Sequence, residues 1–249
     1  MFKKQFISLI LLSILLFSFS TSSFAITAEE IIDKRDENEY FESARIKAKM
    51  IITNGGREMT KEMISISDGE NAYVEFTNPR DKGTKYLKKG DNLWMSFPDA
   101  EEVVKISGHM MNQGMMGSDF SYQDIMESTK LTDLYNFEVI DEESIYQGRK
   151  TYILEGTAME GKEVSYYQRK IWIDQERFIA LKEELYAQSG RLLKVSTVNE
   201  VEEIDGRYFP LRSVMENKLR ENTSTEFVVE EISFNPEIED DTFTLENLQ

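Results

Sequence analysis

One histidine, no cysteine and a large excess of carboxylates are what this 249-residue chain offers for chemistry. His109 stands in Gly108-His109-Met110-Met111 with no carboxylate within four residues on either side to orient it. No Gly-x-Ser-x-Gly turn supplies a nucleophile for it to activate, so it reads as an ordinary loop or lid histidine. Asp119 and Asp124 are the residue type for glycoside hydrolysis, but a chain this acidic supplies such pairs by chance. Glu237, Glu239, Asp240 and Asp241 lack the spacing of a calcium loop, and a single histidine cannot build a typical zinc site. Gly83-Thr84-Lys85 lacks the spacing of a phosphate-binding loop. Without cysteine there are no disulfides, thiolate metal sites or thiol nucleophiles. The inventory points away from an enzyme and away from a bound cofactor or metal.

A methionine-rich segment survives this screen. Met110, Met111, Met115 and Met116 fall within seven residues and are interrupted by Asn112, Gln113 and Gly114, so they form no helical stripe. Thioether side chains are unbranched and polarizable, and on a mobile segment they repack around apolar ligands of varied shape. They also suit a plainer role as a plug over the open end of the domain's own core. The two roles are compatible, one in the empty state and one in the loaded state.

Such a segment needs elements to hold it, and beyond one opening helix the chain reads as strand after strand. Ile46, Ala48 and Met50 share a face, as do Ala72, Val74 and Phe76 against Tyr73 and Glu75. Turn chemistry at Asn54-Gly55-Gly56, Asp68-Gly69, Lys89-Gly90-Asp91, Gln147-Gly148, Ser189-Gly190 and Asp205-Gly206 separates β-like runs. Further strands are predicted near residues 82–87, 93–98, 135–140, 151–156, 164–173, 178–186, 192–201, 208–215 and 225–234, giving about ten or eleven antiparallel strands. Helices are predicted over residues 28–36, where Thr27 caps and Glu30 completes a capping box, and from 121 to about 128. A sheet this wide curls, closes or splits unless its open face is covered. Periodicity alone allows a half-open barrel and a β-sandwich equally.

The order of Lys82-Gly83-Thr84-Lys85-Tyr86-Leu87, Leu93-Trp94-Met95-Ser96-Phe97-Pro98 and Met115-Met116-Gly117-Ser118-Asp119-Phe120-Ser121-Tyr122-Gln123-Asp124-Ile125 resembles the LolA-like outer-membrane lipoprotein-sorting proteins. The likeness is to the branch with a Met-Gly-Ser-Asp-Phe-Ser-Tyr block after a Leu-Trp-x-x-x-Pro strand. It extends from Thr27-Ala28-Glu29-Glu30-Ile31-Ile32 to Asp241-Thr242-Phe243-Thr244-Leu245, essentially the whole mature chain. The resemblance implies a mainly β fold, a strongly curved antiparallel sheet forming a half-open barrel with a few helices as lid. It implies a non-enzymatic periplasmic carrier that holds acyl chains of lipoproteins or another lipid in an apolar cavity. Such a carrier docks transiently with an inner-membrane exporter and an outer-membrane acceptor. Trp94, Phe97, Phe120 and Tyr122 are then candidate wall residues beside Met110, Met111, Met115 and Met116. Trp94 and Phe97 have opposite parity on a regular strand, so at least one points outward unless the strand is bulged or twisted near Pro98. The alternative on the same fold is a periplasmic lipid sensor that regulates a membrane signalling partner.

Lys3 and Lys4 precede an apolar stretch from Phe6 to Phe19, and Ser23-Phe24-Ala25 is a small-x-small cleavage site. A signal peptide over residues 1–25 and a single domain over 26–249 are therefore expected. The apolar run is shorter than the roughly 20 residues that a spanning helix needs. Cleavage removes both lysines and takes the net charge from −17 to −19. With no basic cluster longer than Lys88-Lys89, nucleic acid is a poor partner. Lacking a cysteine to acylate, the mature product is expected to be free and soluble in the periplasm, neither tethered nor itself lipidated. The plain reading of its acidity is solubility. The sharper reading is repulsion from anionic lipid surfaces and attraction to basic docking partners.

Overall fold

The structure, a computed structural model, describes residues 26–99, 102–127 and 130–248. The expected signal peptide lies outside the described residues. Helix α1 (Ala28–Glu39) opens on the predicted capping box. The Glu30 amide donates to the Thr27 hydroxyl at 3.2 Å, and the Thr27 amide donates to the Glu30 carboxylate at 2.9 Å. The helix continues past residue 36 because Arg35 and Glu39, one turn apart, pair at 2.6 Å.

Thirteen strands follow among the described residues: β1 (Ala44–Asn54), β2 (Arg57–Ser67), β3 (Ala72–Phe76), β4 (Lys85–Lys89), β5 (Asn92–Ser96), β6 (Val104–Ile106), β7 (Tyr135–Tyr146), β8 (Arg149–Ala158), β9 (Gln168–Asp174), β10 (Ala180–Tyr186), β11 (Leu192–Ile204), β12 (Arg207–Asn217) and β13 (Thr223–Phe234). They form one curved, open antiparallel sheet in the order β6-β5-β4-β3-β2-β1-β13-β12-β11-β10-β9-β8-β7. The two strands beyond the expected count are β2 and β6. The first half of β2 is charged and exposed, which masks its period of two, and β6 has only three residues. Tight turns set the register. At Gly55-Gly56 and Gln147-Gly148 both residues take positive φ, between 50° and 81°, the geometry that matches the twist of a two-residue hairpin. Register shifts in the β1–β13, β7–β8, β9–β10, β10–β11 and β11–β12 pairs bend the sheet further.

Directly paired residues share a face, so one side of the sheet can be followed across its width. Met50 pairs with Phe227 and Phe227 with Ser213; further on, Ser196 pairs with Met215, Glu183 with Ser196, Ile171 with Glu183, and Leu154 with Ile171. In the other direction Ala48 pairs with Met63, Met63 with Phe76, Val74 with Tyr86, and Tyr86 with Met95. This inner face carries two apolar clusters. One joins Ala48, Met50, Ile52, Met63, Phe76 and Tyr86. The other joins Leu154, Ile171, Ile173 and Tyr135 to Ile31 and Ile32 of α1. The outer face of β3–β5 has its own small cluster, where Tyr73, Leu87 and Trp94 pack under Phe243 and Leu248 of the C-terminal tail.

The connection from β6 to β7 has to pass from one edge of the sheet to the other. That crossing runs over the inner face and contains the methionines and the short helix α2 (Tyr122–Met126). Its predicted extension to Ser128 lies outside the described residues, and Glu127 already has extended backbone.

Gly156, buried on β8, faces Phe137 across the β7–β8 pair. A Cβ there would overlap the Phe137 ring, which itself packs on the α1 cluster. Gly156→Val should therefore lower stability by about 1–3 kcal/mol, read as a fall in denaturation midpoint at unchanged m-value. An unchanged midpoint would show that the ring is free to move aside.

Candidate functional site

The crossing segment is closed on itself before it meets the sheet. The Met115 amide donates to the Phe120 carbonyl at 2.8 Å and the Tyr122 amide to the Gln113 carbonyl at 3.1 Å, so residues 113–122 form a small knot. Gly114 is required at its neck, since a Cβ there would overlap the Ser118 carbonyl. Met116 takes φ 52° and Gly117 φ 84° at the tip. Ser121 caps α2, with the Asp124 amide on its hydroxyl at 3.2 Å and its own amide on the Asp124 carboxylate at 2.7 Å.

The knot turns its apolar side to the inner face. Met115 and Tyr122 are buried in the cluster with Met50 and Phe76, and Met110, Met111, Met116, Phe120, Ile125 and Met126 pack against it. The Phe120 ring lies edge-on to Phe227, with centroids 6.2 Å apart. The Tyr86 hydroxyl donates to the Met116 sulfur at 3.2 Å and lies 3.3 Å from the Tyr122 hydroxyl. Burial pushes the Tyr86 phenol well above its ordinary pKa, and the bond to Tyr122 adds to the shift, so it remains a neutral donor.

Three carboxylates anchor this lid to the sheet. Asp119, almost fully buried, accepts from Arg220 at 2.6 Å and from the Thr225 hydroxyl at 2.9 Å, while its amide donates back to Thr225 at 2.9 Å. Asp124 accepts from Lys194 on β11 at 2.6 Å and from the Tyr166 hydroxyl at 2.5 Å. Glu127 pairs with Arg169 on β9, whose other side meets Glu183 on β10 at 2.7 Å. Burial works against the Arg169 charge, but Glu183 and Glu127 outweigh it and hold its pKa above the usual guanidinium value. These pairs form a polar belt across the inner face between the two apolar clusters.

Six of the eight residues that the sequence singled out thus meet in one place: Met110, Met111, Met115, Met116, Phe120 and Tyr122. Trp94 does not join them. On β5 it alternates with Leu93 and Met95, which face inward, so it points to the outer face and packs beneath the C-terminal tail. Phe97 follows the end of β5 and is exposed. His109 is exposed on a 3₁₀ turn. Asp119 and Asp124, weighed above as a catalytic pair, each spend their oxygens on anchoring bonds. Sequence reasoning missed the partners Arg169, Lys194, Arg220 and Thr225, which lie between 42 and 106 positions away from their carboxylates. Only the Ser121-x-x-Asp124 capping pattern gave any local signal.

A family model described as "Uncharacterized protein" matches residues 68–249, more than half of the chain. Solved structures match along nearly its whole described length. A DUF1329 family protein from Desulfovibrio piger is 26% identical with a TM-score of 0.80, covering 89% of this chain and 98% of that one. A LolA superfamily protein from Nitrosomonas europaea is 26% identical with a TM-score of 0.73, covering 90% and 100%. The chain belongs to the LolA-like family. A domain from Vibrio parahaemolyticus named for outer membrane lipoprotein sorting, 24% identical over 89% of this chain and 97% of its own, shares the fold at a TM-score of 0.76. No curated protein matches the sequence. In this LolA-like chain the segment that crosses the sheet is the methionine-rich lid, and no described helix is long and apolar enough to cross a membrane.

Removing one anchor should free the lid without unfolding the sheet. Asp119→Ala deletes a buried acceptor of two bonds, at a cost of about 1–3 kcal/mol. Amide exchange over residues 113–122 should quicken at least about tenfold, while β8–β10 keep their protection. Equal exchange in the two proteins would show that Asp119 holds nothing in place.

Proposed function

We propose that this chain is a periplasmic, non-enzymatic carrier that holds acyl chains of lipoproteins, or of another lipid, against its inner face. It takes them from an inner-membrane exporter toward an outer-membrane acceptor, docking only transiently with each. The observation that carries this reading is a methionine and aromatic lid laid over the apolar inner face of β1–β5 and tied down beside it by polar groups. Met110, Met111, Met115, Met116, Phe120 and Tyr122 are the proposed acyl-chain contacts. Trp94 and Phe97 have no part in it.

The energetic need for a vehicle is plain. At roughly 0.8 kcal/mol per methylene, an acyl chain of about 15 methylenes costs about 12 kcal/mol to expose to water. A carrier must offer nearly as good an environment and still let go. Methionine suits this because its flexible thioether fills the empty face and then rearranges around a chain, so the apolar surface stays covered in both states. The polar anchors suit it as well: once the lid lifts, their charged ends meet water, which recovers much of what the ion pairs lose.

Replacing Met115 and Met116 together by Asp should weaken binding of a fluorescent fatty-acyl probe by at least roughly tenfold, because two unpaired carboxylates facing an apolar chain should cost well over 1.4 kcal/mol. Far-UV circular dichroism should stay β-rich. Unchanged probe affinity in the folded double variant would remove the lid from the binding site.

A further inference from the structure

The four lysines of β2 and β4 have different fates. Lys85 donates to the Asn247 carbonyl at 2.7 Å and Lys89 to the Phe243 carbonyl at 3.1 Å, both on the outer face under the C-terminal tail. Lys61, on the inner face of β2 two strands away, pairs with Asp81 at 2.6 Å. Lys88 has the parity of Tyr86 and pairs with Leu93 and Ala72, so it points inward, where it is half-buried. Among the described residues it makes no hydrogen bond or ion pair.

Two adjoining cavities, of about 160 Å³ and about 330 Å³, share Gly69, Glu70, Lys88 and Ile125 in their walls. The larger one also reaches Met126 and Glu127. Ile125 and Met126 pack with their other sides against the methionine-lid cluster. The opening therefore leads from solvent, past an ammonium group, to the edge of the apolar inner face. No nearby carboxylate forms an ion pair with that ammonium, although Asp91 in the same wall attracts it. Glu127 is engaged by Arg169, whereas Glu70 and Asp91 are exposed. Desolvation holds the Lys88 pKa below its ordinary value and outweighs the opposing attraction of Asp91.

We infer that this opening is a headgroup site: Lys88 receives the anionic carboxylate or phosphate of a lipid whose acyl chain runs past Ile125 and Met126 beneath the lid. This rests on the carrier reading above and adds to it the chemical class of cargo. A half-buried cation beside an apolar channel favours an amphiphile with one negative end, since the ligand's charge and its chain are both satisfied by one pose. A neutral amphiphile of the same length leaves Lys88 as it is. A free anion gains the ion pair without the chain burial.

The test compares dissociation constants of the purified protein for hexadecyl phosphate, hexadecanoate, hexadecanol and inorganic phosphate. The hexadecanol constant should exceed those of the two charged lipids by about tenfold or more, and inorganic phosphate should neither bind measurably nor compete. That ratio should fall to about one in Lys88→Gln and be restored in Lys88→Arg. Circular dichroism and the melting temperature of each variant establish that it is folded. Equal affinities for charged and neutral chains in the wild type, or a ratio untouched by Lys88→Gln, would overturn the headgroup site and leave the carrier reading intact. Competition by inorganic phosphate at Lys88 would make it a free-anion site, which also overturns the inference. Failure of every sixteen-carbon ligand to bind would overturn the carrier reading itself.

Discussion

The strand order places β6 and β7 at opposite edges of a thirteen-stranded sheet, yet they are consecutive in the chain. Whatever joins them must cross the sheet, and the inner face it crosses is apolar and needs covering. The lid is thus a consequence of connectivity before it is a device. What remains to be specified is how firmly it lies down. Asp119, Asp124 and Glu127 do this, each reaching from the crossing segment to a cation supplied by the sheet or by the β12–β13 turn. Such pairs add little net stability compared with apolar packing, but they fix position, because a misplaced lid leaves a carboxylate buried without a partner.

The other surfaces of the sheet leave the inner face as the place for a ligand. On the outer side of β3–β5, Phe243 and Leu248 already cover Tyr73, Leu87 and Trp94, and the tail is held by Lys85, Lys89 and a bond from the Ser96 hydroxyl to the Leu248 carbonyl at 2.5 Å. One sheet edge is the three-residue β6. The other, β7, carries Glu138, Asp141, Glu142 and Glu143 and two register shifts, features that discourage strand addition. The inner face, whose apolar cluster on β1–β5 is covered by a short, locally closed segment, differs from both.

How much of this was legible in the sequence depended on whether the cause was local. Strand alternation put Ile46, Ala48 and Met50 on one face and Ala72, Val74 and Phe76 on one face, and both turn out to be the inner face, because burial on one side of a sheet imposes a period of two. The Thr27 capping box fixed where α1 begins. β2 escaped the count because residues 57–60 are charged or exposed at both parities. Trp94 illustrates the same limit. As a large aromatic in a family-like block it suggested a cavity wall, yet its parity with Leu93 and Met95 sends it under a C-terminal tail whose docking no local pattern announces. The anchors Lys194, Arg220 and Thr225 were invisible for the same reason. Their partners are chosen by strand order, which spacing along the chain does not encode.

The central claim is that the inner face accepts an acyl chain under the lid, and native mass spectrometry of protein purified gently from its own host tests it most directly. Exit of a long chain into water is disfavoured by several kcal/mol, at roughly 0.8 kcal/mol per methylene, so cargo acquired in the cell should survive purification. The account predicts discrete adducts in the mass range of fatty acids, phospholipids or an acylated peptide. It also predicts that delipidated protein regains thermal stability when such a ligand is returned. A protein that carries no adduct and shows no shift in melting temperature with any lipid class would contradict it.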